Sequence, residues 1–526
     1  MDFKKKLLNH WPLILASLIF LAITIPAIFQ SRHVMMNLEP YPDAILYISR
    51  AKHFANTGKL TANYLDSNLR VPIPPLYSFY LSFFFLFTNN PNIFYLANIL
   101  LGLANLAFLY LIIQKVLNKQ KGRNFLIFIL LALFLSHGYL LWIPELALIE
   151  NLGLTLLLLS VYVVFDKKNK VPIWLTVLLT SSWIFAKLNY LPFSAFLFLL
   201  FSYKHISKKN WLKLGRYFAG ILVMSFIYLG FEAWTGKSHL AFFSNLLTNK
   251  VSSPEATNNT AFFSFSYLIP NLKKYSNLLI GGKNNFLWLK FPLSNFLIVF
   301  TSMLGIYLGS KNIKTKNLSL TVTGFFLAQF PLLLVFTSSD ARYIVLSIPI
   351  LIICLAILIA NIKNLKMSYL ILLALLLSQI YLQKDFYKQI ISENILGRSS
   401  AWQQEAVINF NSQLPNNSFM ITALPPFFID LHQNQNYQAL PLSKNQEFIN
   451  KGQWLWGSAY ETNNLLDLYD KLLLAKKQVF ISNAYITHNH QVTEDYEKLK
   501  DKYDFRLVSR NCDAACEIYE INFKTD

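Results

Sequence analysis

Apolar runs of about twenty residues recur along most of this chain, and that feature decides which folds are open to it. A bilayer core of ~30 Å needs ~20 apolar residues of helix, so a single run is ambiguous between a span and a buried helix. Repeated through 526 residues, such runs cannot all hide in a soluble core. Lipid is the expected solvent, and a composition of 54% hydrophobic against 14% charged residues agrees.

A formal net charge of +20 raises nucleic acid as a partner, but the basic residues are dispersed among short loops and form no patch with aromatic platforms. They read as topology signals, because cytoplasmic loops of membrane proteins are enriched in Lys and Arg. Lys4, Lys5 and Lys6 precede a first helix, Trp11 to Gln30; the run is long for a signal peptide and no small-residue cleavage site follows it. Residues 31–92 then form the first outer loop, within which Pro74 to Phe87 is short and Pro-led. Reading it as a juxtamembrane helix, rather than as a full crossing, lets Ile93 to Gln114 carry Lys115, Lys119, Lys121 and Arg123 inward.

The same alternation continues through Phe125–Ile143, Glu150–Phe165, Pro172–Phe185, Tyr190–Ser202 and Tyr217–Trp234. After a long outer loop, 235–285, come an inward helix ending at Lys311, then Leu318–Phe336, Tyr343–Ile362 and Met367–Leu382. Every inward end is basic, down to Lys363 and Lys366. The expectation is a polytopic α-helical membrane protein of about eleven transmembrane helices, with the N-terminus cytoplasmic. Residues 1–383 make the membrane domain, and 384–526, of ordinary soluble composition, make a small extracytoplasmic α/β or α+β domain. Strands are expected at Ser418–Ile429, Gln478–Ile486, Phe505–Ser509 and Glu517–Asn522, with helices at Asn464–Lys476 and Glu494–Tyr503. Cys512 and Cys516 are read either as a local disulfide or as two free thiols, and Cys354 as a small hydrophobe.

Ionisable residues at helix ends in such a protein are functional candidates, since charge is costly at membrane depth. They gather on the expected outer face. The most informative stretch is Tyr41-Pro42-Asp43-Ala44-Ile45-Leu46-Tyr47, continuing to Ala51 and Gly58. It resembles the first-loop signature of the GT-C glycosyltransferases related to protein O-mannosyltransferases and to ArnT-type (family 39-type) membrane enzymes: Asp, Tyr four residues on, a small residue at eight and Gly at fifteen. Family members often have Glu after the Asp, where this chain has Ala44. Arg70, Pro72 and Pro74-Pro75-Leu76-Tyr77 look like the family's Pro-rich entry to its juxtamembrane helix. Glu150-Asn151-Leu152 is similar to the acidic start of an inward helix in relatives. Asp340-Ala341-Arg342-Tyr343, followed by Pro349, is similar to their late Arg-Tyr helix start near a lipid phosphate.

The resemblance implies an inverting transfer of a sugar from a polyprenyl-phosphate donor to an acceptor hydroxyl at the outer face of the cell membrane. Lipid, glycan and protein all remain open as acceptors, and membrane lipids are the surroundings. Such a step needs a carboxylate to take the hydroxyl proton and a cation to hold the departing phosphate. Asp43 and Arg342 are the economical pair, with Glu150 as a second catalytic carboxylate and Tyr343, Lys187, Tyr47 and Arg70 as substrate-binding residues. Each has a plainer reading. Asp43 is also placed to cap a helix from Ala44 to Asn56, Glu150 to pair with Lys187, and Arg342 to snorkel beside Asp340. Glu145 has no assigned role. His239, His488 and His490 suggest no metal site, so no cofactor is required, a divalent metal staying possible. Two rival classes remain: a transporter or flippase of lipid-linked sugars, and a non-catalytic membrane subunit displaying its outer domain. The first should show paired, Gly- or Pro-broken halves, which the sequence lacks; the second would tolerate loss of Asp43.

Overall fold

A computed structural model of the chain describes residues 10–25, 43–58, 74–90, 93–145, 147–165, 171–235, 263–281, 292–336, 341–392, 409–424, 437–443, 465–484, 486, 490–510 and 517–524. Helix α1 (Trp11–Thr24) carries Pro12 in its first turn, where a missing N–H costs nothing. Helix α2 (Asp43–Thr57) ends at Gly58, whose φ of +70° supplies the left-handed residue that closes a helix. No atom lies within 4 Å of where a Cβ would stand on Gly58, so backbone conformation, not crowding, asks for glycine there. Helix α3 (Leu76–Phe85) has ten residues, about 15 Å of helix, which is half the thickness of a bilayer core.

The bundle continues with α4 (Ile93–Val116), α5 (Arg123–Leu135), the short α6 (Gly138–Trp142), α7 (Ile149–Phe165), α8 (Ile173–Ala186), α9 (Leu191–Ser207), α10 (Trp211–Thr235), α11 (Leu268–Ile280), α12 (Phe296–Lys311), α13 (Lys316–Val335), α14 (Ser347–Asn361) and α15 (Leu365–Ser392). Among the described residues five helical segments are long and apolar enough to cross a membrane: α4, most of α10, α13, Arg342–Asn361, which takes in α14, and most of α15. Six shorter apolar helices accompany them. This is a multi-pass membrane protein. Helix α14 is hydrophobic all round and buried along nearly its whole length, the position such a helix must take. Gly305 on α12 faces the carbonyl of Cys354 on α14 so closely that a Cβ has no room, and the two helices pack there backbone to backbone.

Three features depart from the sequence reading. The expected helix Phe125–Ile143 is broken: Ser136 bonds the carbonyl of Leu133, the His137 ring donates to that same carbonyl (2.8 Å), and His137 turns extended at ψ 96°. The side-chain bonds compete with the helix's own and end α5. Within 235–285, read as loop, lies the amphipathic α11, whose Asn271 donates to the carbonyls of Leu333, Leu334 and Phe336 and so caps α13. Helix α15 runs on to Ser392, beyond the Leu382 expected from hydrophobicity.

The terminal region is a mixed five-stranded sheet of β1 (Ser418–Thr422), β2 (Tyr437–Pro441), β3 (Val479–Ser482), β4 (Tyr503–Ser509) and β5 (Ile518–Phe523), in the order β2-β1-β3-β5-β4. β1 pairs in parallel with β2 and β3, whereas β5 is antiparallel to both β3 and β4. Helices α16 (Leu465–Leu474) and α17 (His490–Lys502) pack on it. The sequence missed β2, an edge strand that tolerates Pro441 because an edge needs only one set of ladder bonds. Cys354 is buried; Cys512, Cys516, His239 and His488 lie outside the described residues, as do the side chains of His490 and Glu145.

Candidate active site

The two ends of the bundle differ in charge. At one, Gln120 donates to the carbonyls of Ile359 and Ala360 (3.2 and 3.1 Å) at the end of α14, and Asn312 bonds Asn361 (2.8 Å). These bonds gather the loops holding Lys115, Lys119, Lys121, Arg123, Lys311, Lys363 and Lys366. The opposite end holds the starts of α4, α7 and α14 and the end of α8, and there the charged side chains go inside.

Glu150, in the first turn of α7, is 1% exposed. Its Oε1 accepts a hydrogen bond from Lys187 Nζ at 2.8 Å, while Oε2 is buried with no partner among the described residues. Lys187 caps α8 in an extended conformation (φ −160°, ψ 136°), which turns it out of the helix toward α7. Removing either partner would strand a buried charge, at a cost of ~3–5 kcal/mol. Lys187 Nζ also stands 4.8 Å from the centre of the Tyr343 ring, and the Arg342 guanidinium is 5.1 Å from the same ring. Arg342 and Tyr343 share a 3₁₀ turn, Ala341–Ile344, held by Gln329 on α13. Gln329 donates to the Tyr343 carbonyl (2.6 Å) and accepts from Ser347 (2.9 Å), so one buried amide ties the turn to the start of α14.

Tyr190, after Lys187, joins the group. It is buried, and the charges of Glu150 and Arg342 and the hydroxyls of Tyr47 and Tyr343 all act on it. Tyr47 on α2 is buried with its ring edge-on to Tyr77 at 5.1 Å, and Tyr77 donates to Asn98 (2.7 Å). Behind Glu150, Asn151 donates to the Asn98 carbonyl (2.9 Å) and accepts from Asn105 (3.0 Å), a polar ladder that fixes α7 against α4.

Asp43 opens α2, and its side chain lies outside the described residues, as do Arg70, Pro72 and Asp340. Positions 43, 47 and 51 follow one face of α2 at four-residue steps, and Tyr47 and Ala51 on that face are buried. Arg50, two turns beyond Asp43, was not singled out by sequence. It is 1% exposed, with its guanidinium 5.6 Å from the Phe231 ring, and burial lowers it to about 10, which leaves it charged at neutral pH. Tyr190, Gln329 and Arg50 carried no sequence signal: Tyr190 is one of 27 tyrosines, and only the fold selects it. Among the described residues no three His, Cys, Asp or Glu side chains lie together as a metal site.

A membrane bundle with loop charges at one end and an enclosed acid–base cluster at the other defines a multi-pass membrane protein with its buried ionisable side chains gathered away from the basic loops. No family model matches the sequence, and no curated protein is found as a relative. Solved structures do match. ArnT from Cupriavidus metallidurans bound to undecaprenyl phosphate aligns with a TM-score of 0.60 at 12% identity, over 96% of this chain and 97% of that one. The same protein in its apo state aligns at 0.59 and 11%, with the same shares. The chain therefore has an ArnT-like fold along nearly its whole length, the fold that the sequence resemblance led one to expect.

Proposed function

We propose that this chain is an integral-membrane glycosyltransferase that moves a sugar from a polyprenyl-phosphate donor to an acceptor hydroxyl on the extracytoplasmic face. The observation that carries the reading is the meeting of Glu150, Lys187, Arg342 and Tyr343 with helix α2 at the end of the bundle away from the basic loops. The ArnT of like fold was crystallised with undecaprenyl phosphate, which supports a lipid of that class as donor. By the positive-inside bias, the basic end is cytoplasmic and the cluster faces out, with residues 384–526 on the same side.

In this mechanism the carboxylate of Asp43 takes the proton of the acceptor hydroxyl. The acceptor oxygen bonds to the anomeric carbon as the bond from that carbon to the phosphate oxygen breaks, and the configuration inverts. The lipid phosphate leaves with the electron pair. Arg342 meets it with its planar fork and Lys187 adds a second positive charge, while Glu150 completes the catalytic set by holding Lys187 in place. Tyr47 and Arg70 are assigned to substrate binding, Tyr47 from its buried place on α2. Arg342 and Lys187 supply positive charge at the phosphate, so this reading requires no bound metal.

The test is transfer from radiolabelled polyprenyl-phosphate sugars to acceptors in a membrane extract. Wild type transfers, and Asp43→Asn falls by about 100- to 10,000-fold, the contribution of a positioned general base. Equal transfer by both proteins would reduce Asp43 to a helix cap. Normal lipid binding with no transfer by wild type would instead favour a flippase or a display subunit.

A further inference from the structure

Two oxygens of the cluster take no part in its ion pair. Glu150 Oε2 is buried without a partner among the described residues, and the Tyr190 hydroxyl, in a side chain 5% exposed, makes no hydrogen bond among them either. A buried carboxylate oxygen without a donor costs free energy unless something supplies one. The Glu150 charge acts on the Tyr190 phenol, and both side chains lie along the same stretch of α7. Gly153 lies one turn of α7 beyond Glu150, and a Cβ placed on it would come within 2.9 Å of the Tyr190 hydroxyl, so the phenol lies flush against α7 because residue 153 has no side chain. The Tyr190 ring is fixed from behind by Trp183, at 5.4 Å, and by Phe193, at 5.7 Å. Lys187 uses one N–H on Glu150 Oε1 and keeps two more.

A carboxylate acceptor, a phenol that both donates and accepts, and ammonium donors suit a group that itself donates and accepts. A hydroxyl does both; a phosphate only accepts and is repelled by Oε2. We propose that Glu150, Tyr190 and Lys187 form a sugar subsite that hydrogen-bonds ring hydroxyls of the transferred sugar, with Gly153 giving the phenol its place. This rests on the donor reading above and deepens it: Arg342 holds the phosphate with the charge of Lys187 beside it, and Lys187 shares its remaining N–H groups with the corner that selects the sugar.

The experiment measures binding of undecaprenyl phosphate and of its glucose, mannose and galactose conjugates to the purified full-length protein. Wild type binds at least one conjugate more tightly than the bare lipid phosphate. Tyr190→Phe, which keeps the ring packing, weakens that conjugate by about 3- to 10-fold and leaves the bare lipid unchanged. Gly153→Ala, which keeps every polar group but pushes the phenol, moves in the same direction. A conjugate lacking the recognised hydroxyl binds wild type as weakly as the parent binds Tyr190→Phe, and the variant does not tell the two apart. Equal weakening of bare lipid and conjugate, or no weakening of either, overturns the subsite. A wild type that binds bare lipid and conjugates alike also overturns it while the lipid-phosphate reading stands. A wild type that binds no lipid phosphate overturns both.

Discussion

At the basic end of the bundle Lys119 and Lys121 sit exposed in a loop, and the buried work there is done by a neutral amide, Gln120, on the last carbonyls of α14. At the other end of the same helices Glu150 and Lys187 are taken inside, and Arg342 lies half-buried on an aromatic ring. Loop charges lose little hydration and act as topology signals, to be counted rather than placed. Enclosed charges have given up water and must each find a partner, so position decides everything. The contrast teaches that a chain with net charge +20 separates its cations into those left hydrated in loops and the few enclosed against a carboxylate or an aromatic ring.

The sharpest way to break this comparison, after Asp43→Asn, is to delete one lysine at each end. Lys187→Met strands Glu150 and lowers stability by about 3–5 kcal/mol, whereas Lys119→Met stays within about 0.5 kcal/mol. Unfolding of the purified protein measures both, and similar losses would erase the distinction. A smaller effect is expected from Gln120→Ala, which leaves α14 carbonyls without their donor and costs about 1 kcal/mol, with transfer rate unchanged because the site is at the far end. The smallest concerns charge balance at the cluster: chelation of divalent metals by EDTA leaves transfer unaltered, and a loss restored by added metal would show that Arg342 and Lys187 are not sufficient.

How much of this was legible in the sequence differs from residue to residue. Gly58 was legible as part of a spacing, and its φ of +70° gives the reason, since a helix needs a left-handed residue to stop there. Tyr47 and Ala51 were legible for a related reason: four-residue steps from Asp43 mark one helix face, and that face is buried. The break at Ser136 and His137 was not, because hydrophobicity runs straight through it and only side-chain bonds to Leu133 end the helix. Helix α11 was hidden inside a polar stretch for the converse reason, its apolar residues being too few to stand out until the end of α13 gives Asn271 its acceptors.

The sequence by itself determined the solvent, the alternation of basic loops, the GT-C likeness and most helix positions, because these follow from hydrophobic run length and local spacing. The sequence offered the pairing of Glu150 with Lys187 as one reading and the tertiary structure decided for it; only the tertiary structure showed that Tyr343 lies beneath both cations, that Gln329 fixes their turn, and that Tyr190 fits against Gly153. The contacts of Lys187 with Glu150 and Tyr343, and of Tyr190 with Gly153, join different elements of the chain. A buried charge acquires its partner only when packing removes water from both, and no local pattern encodes that event.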